Sequence, residues 1–160
     1  MEQFLRNDGT VVEIDDIIEI GKNYILEEPE AKYEVSVGTD SQNSSRTKLV
    51  QVITFRRVGH GGIFFYTSEY VQLINNLRLK IYEETSRSIE LAQFFFSKFI
   101  KTFNCDDYDI TFYIHCDIGN SGVTQQFVRE IKGWIQSCGY NCLIKPESYT
   151  ASGIADKLSK

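Results

Sequence analysis

The hydrophobic pattern of this chain changes period once, near residue 72, and that change limits the folds open to it. Between residues 33 and 71, apolar side chains alternate with polar ones in three stretches, as in half-buried strands. From about Leu73 to Phe99 the apolar spacing becomes helical. The pattern predicts strands over 33–40, 48–57 and 62–71, with a glycine-rich hairpin turn at 59–62, followed by one long helix.

Strands and helices alternate in the second half of the chain. The pattern predicts a strand over 109–117, a helix over 123–137, a short strand over 142–145 and a terminal helix over 151–158. An amphipathic helix over 11–28, ended by Pro29, precedes the first strand. The predicted order is βββαβαβα behind an N-terminal helix. Such alternation implies parallel strands with right-handed crossovers, joined to the antiparallel first half in one mixed α/β sheet.

Composition and charge indicate one compact domain. The chain has 160 residues, 42% of them hydrophobic, with only 2 prolines, which excludes a disordered class. The net charge of −5 argues at first against a protein that binds nucleic acid, because neutralising phosphates needs a basic surface. Residues 1–32, however, carry nine acidic and three basic side chains, against 13 and 14 in the rest of the chain. We therefore divide the chain into an acidic helical segment, 1–32, and a nearly neutral domain, 33–160.

Two kinds of motif that the sequence lacks bear on cellular location and cysteine chemistry: a long apolar run and a CxxC pair. The sequence lacks a run of about 18 apolar residues and begins with charges of both signs, so we expect a cytoplasmic protein with no membrane partner. Its 4 cysteines contain no CxxC pair. Reduced thiols packed as small hydrophobic groups are therefore favoured over a zinc site.

Two predicted strands each end in a carboxylate, Asp40 and Asp117. Open mixed sheets gather their chemistry where strand ends meet helices. Each aspartate taken alone has an alternative interpretation, because aspartate also closes turns.

The long helix supplies a third carboxylate, Glu84. It lies three residues after Ile81 and four before Ser88, within the apolar stripe that faces the sheet. A buried glutamate needs a cation or hydrogen bonds to offset its desolvation. The alternative is a glutamate at the end of the stripe whose carboxylate extends to water.

Asp156, in the predicted terminal helix, is the fourth candidate, although a solvated helix acid is the simpler interpretation of it alone. With Asp40, Glu84 and Asp117 it forms an oxygen-only ligand set, which suits Mg²⁺ or Mn²⁺ rather than zinc. Two such ions about 3.5–4 Å apart would suit phosphodiester hydrolysis.

The element order and these acids resemble the ribonuclease H-like superfamily. More narrowly, the sequence resembles the small bacterial YkuK-like family through VGTDSQ (37–42), ETS (84–86), HCDIG (115–119) and KPESYTAS (145–152). The resemblance covers about residues 33–160. It implies helices on both faces of the sheet and metal ligation by Asp40, Glu84 and Asp117, with Asp156 in the variable last position.

Other residues near the predicted site have two interpretations each. Ser41 and Gln42 follow Asp40 and are candidates for substrate phosphate contacts or for strand capping. Lys145 is a candidate phosphate ligand or a solvated lysine. His115 is expected on the same face as Asp117, to assist the site or to serve as a hydrogen-bonded sheet residue.

We predict a nuclease that uses two Mg²⁺ or Mn²⁺ ions to hydrolyse RNA or DNA, with Asp40, Glu84, Asp117 and Asp156 as its metal ligands and catalytic residues. The alternatives are a non-catalytic module that retains the fold and binds nucleic acid or protein, and a hydrolase of small substrates. Fold resemblance alone would not decide among these classes.

Overall fold

The computed structural model describes residues 3–145, which form a mixed sheet of seven strands and three helices. The sheet order is β2-β1-β5-β4-β3-β6-β7. The strands are β1 (Phe4–Arg6), β2 (Val11–Val12), β3 (Lys32–Asn43), β4 (Thr47–Arg57), β5 (Gly62–Val71), β6 (Asp109–Gly119) and β7 (Asn141–Lys145). The helices are α1 (Ile14–Glu27), α2 (Leu77–Thr102) and α3 (Val128–Ser137).

The strand directions confirm the predicted mixed sheet. Strands β3, β4 and β5 are consecutive and antiparallel, whereas β6 pairs parallel with β3, and β7 pairs parallel with β6. The β4–β5 turn contains Gly59 and Gly61, whose φ angles of 83° and 84° are easily reached only by glycine. The order of the strands thus places β3 inside the sheet, between β4 and β6.

The N-terminal segment differs from its prediction, because the helix is preceded by a β-hairpin. Val11 and Val12 pair with β1, and β1 pairs with β5 through Leu5 and Tyr66, which extends the main sheet. Helix α1 therefore begins at Ile14 rather than at residue 11. Two- and three-residue strands are too short to show a period of two, so the hairpin escaped detection in the sequence.

Helix α2 begins later than predicted. Asn76 caps it by accepting a hydrogen bond from the Leu79 backbone at 3.0 Å. The helical apolar spacing predicts burial of Leu73 and Leu77, but these residues lie before α2 and at its first position and are 41% and 39% exposed. Helix α3 also begins later, at Val128 rather than at residue 123, because a 3₁₀ turn precedes it.

The three described helices pack on one face of the sheet. Phe55 of β4 contacts Phe95 and Phe99 of α2 on this face, with ring centroids 6.0 and 5.5 Å apart. Helix α1 crosses closely enough that a Cβ at Gly21 would lie 2.2 Å from Phe55 Cζ. Trp134 of α3 packs edge-on against α2. The resemblance implied helices on both faces, whereas the three helices within residues 3–145 share one face. The terminal helix predicted for 151–158 lies outside the described residues.

None of the helices within residues 3–145 is long and apolar enough to cross a membrane. The 4 cysteines all lie in this part of the chain, and none of them forms a disulfide.

Candidate functional site

The site lies where strands β3 and β6 stop pairing. Their parallel ladder runs from Lys32 and Asp109 to Gly38 and His115, after which both strands continue unpaired with each other. Asp40 and Asp117 each lie two residues beyond the last pair. The prediction that the strands end at these aspartates was wrong, since β3 continues to Asn43 and β6 to Gly119. Neither residue is a turn aspartate.

Glu84 of α2 reaches the edge of β3 that β6 leaves unpaired. Its Oε2 atom accepts hydrogen bonds from the Ser41 backbone nitrogen at 3.0 Å and from Ser41 Oγ at 2.5 Å. The carboxylate therefore supplies the acceptor that a neighbouring strand would otherwise provide. This contact supports the prediction, made from helix phase, that Glu84 points towards the sheet rather than out into water.

The three described carboxylates are electrostatically coupled. Burial raises the pKa of Glu84 to about 8, against the lowering effect of the Ser41 hydrogen bonds, and the charges of Asp40 and Asp117 raise it further. Lys80 lowers this pKa by a smaller amount. Without a bound cation, Glu84 is therefore largely protonated at neutral pH.

A hydroxyl pair holds α2 against β3 next to Glu84. Ser88 Oγ donates a hydrogen bond to Thr39 Oγ1 at 2.8 Å, and both side chains are buried. Thr39 was not among the residues predicted for the site. The available signal was the alternation of β3, which directs Thr39 and Ser41 to the same side as the core residue Val37.

The structure describes two of the remaining predicted site residues, Lys145 on β7 and Gln42 on β3. Lys145, at the end of β7, lies with its Nζ 2.9 Å from Asp117 Oδ1, so in this structure it neutralises a predicted ligand. That oxygen is buried, and within residues 3–145 its contact with Lys145 is an ion pair that lacks hydrogen-bond geometry. Gln42 is partly exposed on β3, opposite Lys48. Asp156 lies outside the described residues.

His115 is buried in β6, two residues before Asp117. Its exposed fraction is 3%, and burial lowers its pKa to about 4. The imidazole is therefore uncharged at neutral pH, so it does not supply a positive charge to the neighbouring carboxylates.

The donor chemistry of the site suits a hard divalent cation, because carboxylate oxygens are the ligands that Mg²⁺ and Mn²⁺ prefer. The arrangement of the described side chains fits such an ion less well than their chemistry does. Among residues 3–145, no group of three or more Asp, Glu, His or Cys side chains lies close enough to hold a metal ion. The described side chains alone therefore do not assemble a three-ligand site.

Comparison with known proteins defines the class to which this fold and site belong. A family model described as Ribonuclease H-like matches residues 16–160, and the protein therefore belongs to the ribonuclease H-like family. It is 33% identical over 154 residues to a protein of Bacillus subtilis (strain 168) named "Uncharacterized protein YkuK", an alignment that covers 91% of this chain and 90% of that one. Both findings confirm the resemblance predicted from the sequence motifs. No solved structure matches the chain.

Proposed function

We propose that the protein is a metal-dependent nuclease that hydrolyses phosphodiester bonds in RNA or DNA. The observation that carries this proposal is the position of Glu84, whose carboxylate lies at the unpaired edge of β3 and is coupled to Asp40 and Asp117. Glu84 and Asp117 are partly buried, and the charges of Asp40 and Asp117 oppose ionisation of Glu84. A bound divalent cation would offset this cost. Membership of the ribonuclease H-like family supports this chemistry over that of a protein-based nucleophile.

In this proposal, Asp40, Glu84, Asp117 and Asp156 hold two Mg²⁺ or Mn²⁺ ions. Such ions, when bound, activate water and stabilise the leaving oxygen of a phosphodiester. Ser41 orients Glu84 through its backbone and hydroxyl hydrogen bonds. Gln42 lies two residues beyond Asp40 on the same face of β3, and in this proposal its amide contacts substrate. Lys145 has two alternative partners, Asp117 and a substrate phosphate.

Cleavage assays with single-strand RNA, single-strand DNA and hybrid duplexes in Mn²⁺ test this proposal. We expect Asp40→Asn and Asp117→Asn to reduce cleavage to background, because each removes a charged oxygen ligand. Glu90→Gln is the matched control, since Glu90 is an exposed acid on the same helix as Glu84. Equal cleavage by the wild type and all three variants would show that the carboxylates are not catalytic.

A second candidate function is a non-catalytic module that binds nucleic acid or protein. Two observations favour it: residues 3–145 contain no assembled three-ligand group, and Asp117 is already neutralised by Lys145. Melting temperatures measured with and without Mn²⁺ separate the two candidates, because a ligand that binds only the native state raises the melting temperature. A rise that Asp40→Asn abolishes supports the nuclease, whereas no rise and no cleavage supports the binding module.

A further inference from the structure

The face of the sheet that carries Asp40 also carries a row of longer side chains. Gln42 on β3 is in register with Lys48 on β4, and Lys48 is in register with Tyr70 on β5. Residues directly opposite one another share a face, as do residues two apart along a strand. Gln42, at the near end of the row, therefore lies about 7 Å from Asp40, the distance of two residues along an extended strand, and Lys48 and Tyr70 lie one and two strands further away.

Tyr70 and Arg46 form an exposed aromatic and cationic pair at the end of this row. The Arg46 guanidinium carbon lies 4.3 Å from the centroid of the Tyr70 ring, and Tyr70 is 50% exposed. Stacking of this kind holds a guanidinium flat while leaving its donors available. We define the nucleic-acid patch as Gln42, Arg46, Lys48 and Tyr70.

The charge of the nucleic-acid patch is locally uncompensated. Within residues 3–145, neither Arg46 nor Lys48 forms an ion pair, although the protein carries a net charge of −5. The acid next to Tyr70 in sequence, Glu69, projects to the other face and pairs with Arg87 of α2. The patch is thus a positively charged area on an acidic protein, and it complements phosphate groups.

Hydrogen bonds connect the turn that carries Arg46 to the loop before α2. Thr47 Oγ1 donates to Asn43 Oδ1 at 2.7 Å and accepts from the Ile74 backbone nitrogen at 2.8 Å. Asn43 Nδ2 donates to the Ile74 carbonyl at 3.0 Å. These bonds therefore link the turn that carries Arg46 to the segment that leads into α2, the helix that carries Glu84.

We propose that the nucleic-acid patch binds a single strand of nucleic acid, with a base stacked on Tyr70 and phosphates contacted by Arg46 and Lys48. This inference rests on the proposed nuclease function and adds a preference for unpaired substrate. In a duplex, neighbouring bases cover both faces of each base, so only an unpaired base can stack on Tyr70. An acidic peptide would neutralise the two cations but would leave the exposed ring without a stacking partner.

Fluorescence anisotropy with a labelled oligonucleotide, as a single strand and as its duplex, tests this proposal on the full chain in metal-free buffer. We expect the wild type to bind the single strand more tightly. Tyr70→Ala should weaken that binding roughly five- to hundredfold, the loss expected for one stacked base, while Tyr70→Phe should retain it. Arg46→Ala and Lys48→Ala should each reduce the slope of log affinity against log salt by about 0.7, and Tyr70→Ala should leave the slope unchanged.

A second aromatic and cationic pair provides matched controls. Phe94 lies on α2, ten residues beyond Glu84, and is 43% exposed. Lys98 Nζ lies 5.7 Å from the centroid of the Phe94 ring. Phe94→Ala and Lys98→Ala should leave the affinity unchanged. Three results would each overturn the proposal: equal wild-type affinity for single strand and duplex, unchanged binding by Tyr70→Ala, or an equal loss on Phe94→Ala.

The failure of this proposal can be distinguished from the failure of the proposed function. If cleavage requires Asp40 but depends on neither Tyr70 nor strandedness, the patch proposal is wrong and the nuclease proposal stands. If single strands bind through Tyr70 but no variant or metal condition supports cleavage, the nuclease proposal is wrong and the patch belongs to a binding module.

Discussion

The two halves of helix α2 pack against the same sheet by different means. Towards its C-terminal end, Phe95 and Phe99 lie against Phe55 in an apolar interior where all three rings are fully buried. Towards its N-terminal end, the helix meets β3 through Ser88 and Glu84, both of which form hydrogen bonds. One half therefore contacts the sheet through aromatic rings, and the other through hydroxyl and carboxyl groups.

The aromatic half of α2 mainly stabilises the fold, whereas the polar half mainly positions Glu84. Apolar burial is non-directional and contributes about 25 cal/mol for each Å² removed from water, so the aromatic half stabilises the helix without selecting one precise geometry. Hydrogen bonds contribute less to stability but require specific distances and angles. The polar half thus holds a carboxylate in a defined place at a cost in stability that the aromatic half offsets.

The largest expected effect comes from the aromatic half. Phe95→Ala should lower the free energy of unfolding by about 3–5 kcal/mol, because it leaves a cavity against Phe55. Urea denaturation followed by circular dichroism measures this loss. Phe94→Ala is the control, since the neighbouring ring is 43% exposed and its loss should cost much less. Equal losses at the two positions would contradict the assignment of the core to this half.

In the polar half, Glu84 should make the free energy of unfolding depend on pH. The pKa of Glu84 is raised from its ordinary value of 4.5 to about 8 in the folded protein. Between these two pH values the folded protein keeps a proton on Glu84 that the unfolded chain has released. Stability from this group is present below pH 4.5 and falls as the pH rises towards 8. Glu84→Gln, which keeps an acceptor for Ser41, should therefore gain stability relative to the wild type by up to several kcal/mol between these values.

Urea denaturation in metal-free buffer at several pH values measures this gain. Glu90→Gln, which alters an exposed acid of the same helix, should show no comparable trend. If the free energies of unfolding of the wild type and Glu84→Gln differ by a constant amount between pH 4.5 and about 8, Glu84 ionises normally.

The smallest expected effect concerns the hydroxyl pair. Ser88→Ala removes the hydrogen bond to Thr39 and should lower the free energy of unfolding by about 1 kcal/mol. Ser97→Ala is a suitable control, because the Ser97 hydroxyl is exposed and bonds only to carbonyls of its own helix among the described residues. If Ser88→Ala lowers the free energy of unfolding no more than Ser97→Ala does, other contacts hold this half of α2 against β3.

Much of the site was predictable because helix phase is a local property. The spacing of Glu84 from Ile81 and Ser88 predicts that it faces the sheet, and its contact with Ser41 agrees with that prediction. Helix phase also separates Glu84 from Glu83, which lies on a different side of the helix and pairs with Arg87 at 2.7 Å. The ligand role of Asp40, Glu84, Asp117 and Asp156 stays a prediction.

Other features depend on residues far apart in the chain. The period of two predicted that β3 ends at Asp40, yet pairing with β4 carries it on to Asn43. Lys145 meets Asp117 only because β7 lies beside β6. The N-terminal hairpin joins the sheet through β5, whose residues lie about 60 positions later in the chain. No local pattern encodes such pairings, because each depends on which strand becomes a neighbour.

The sequence by itself determined the order of strands and helices, the inward orientation of Glu84 and the resemblance to the ribonuclease H-like family. These depend on hydrophobic period and short motifs, which are written in neighbouring residues. The tertiary structure alone decided where β3 and β6 stop pairing, which partner each carboxylate contacts, and which side chains share the face of Asp40. Those contacts join residues tens of positions apart, and only the packed sheet brings them within hydrogen-bonding or Coulomb range.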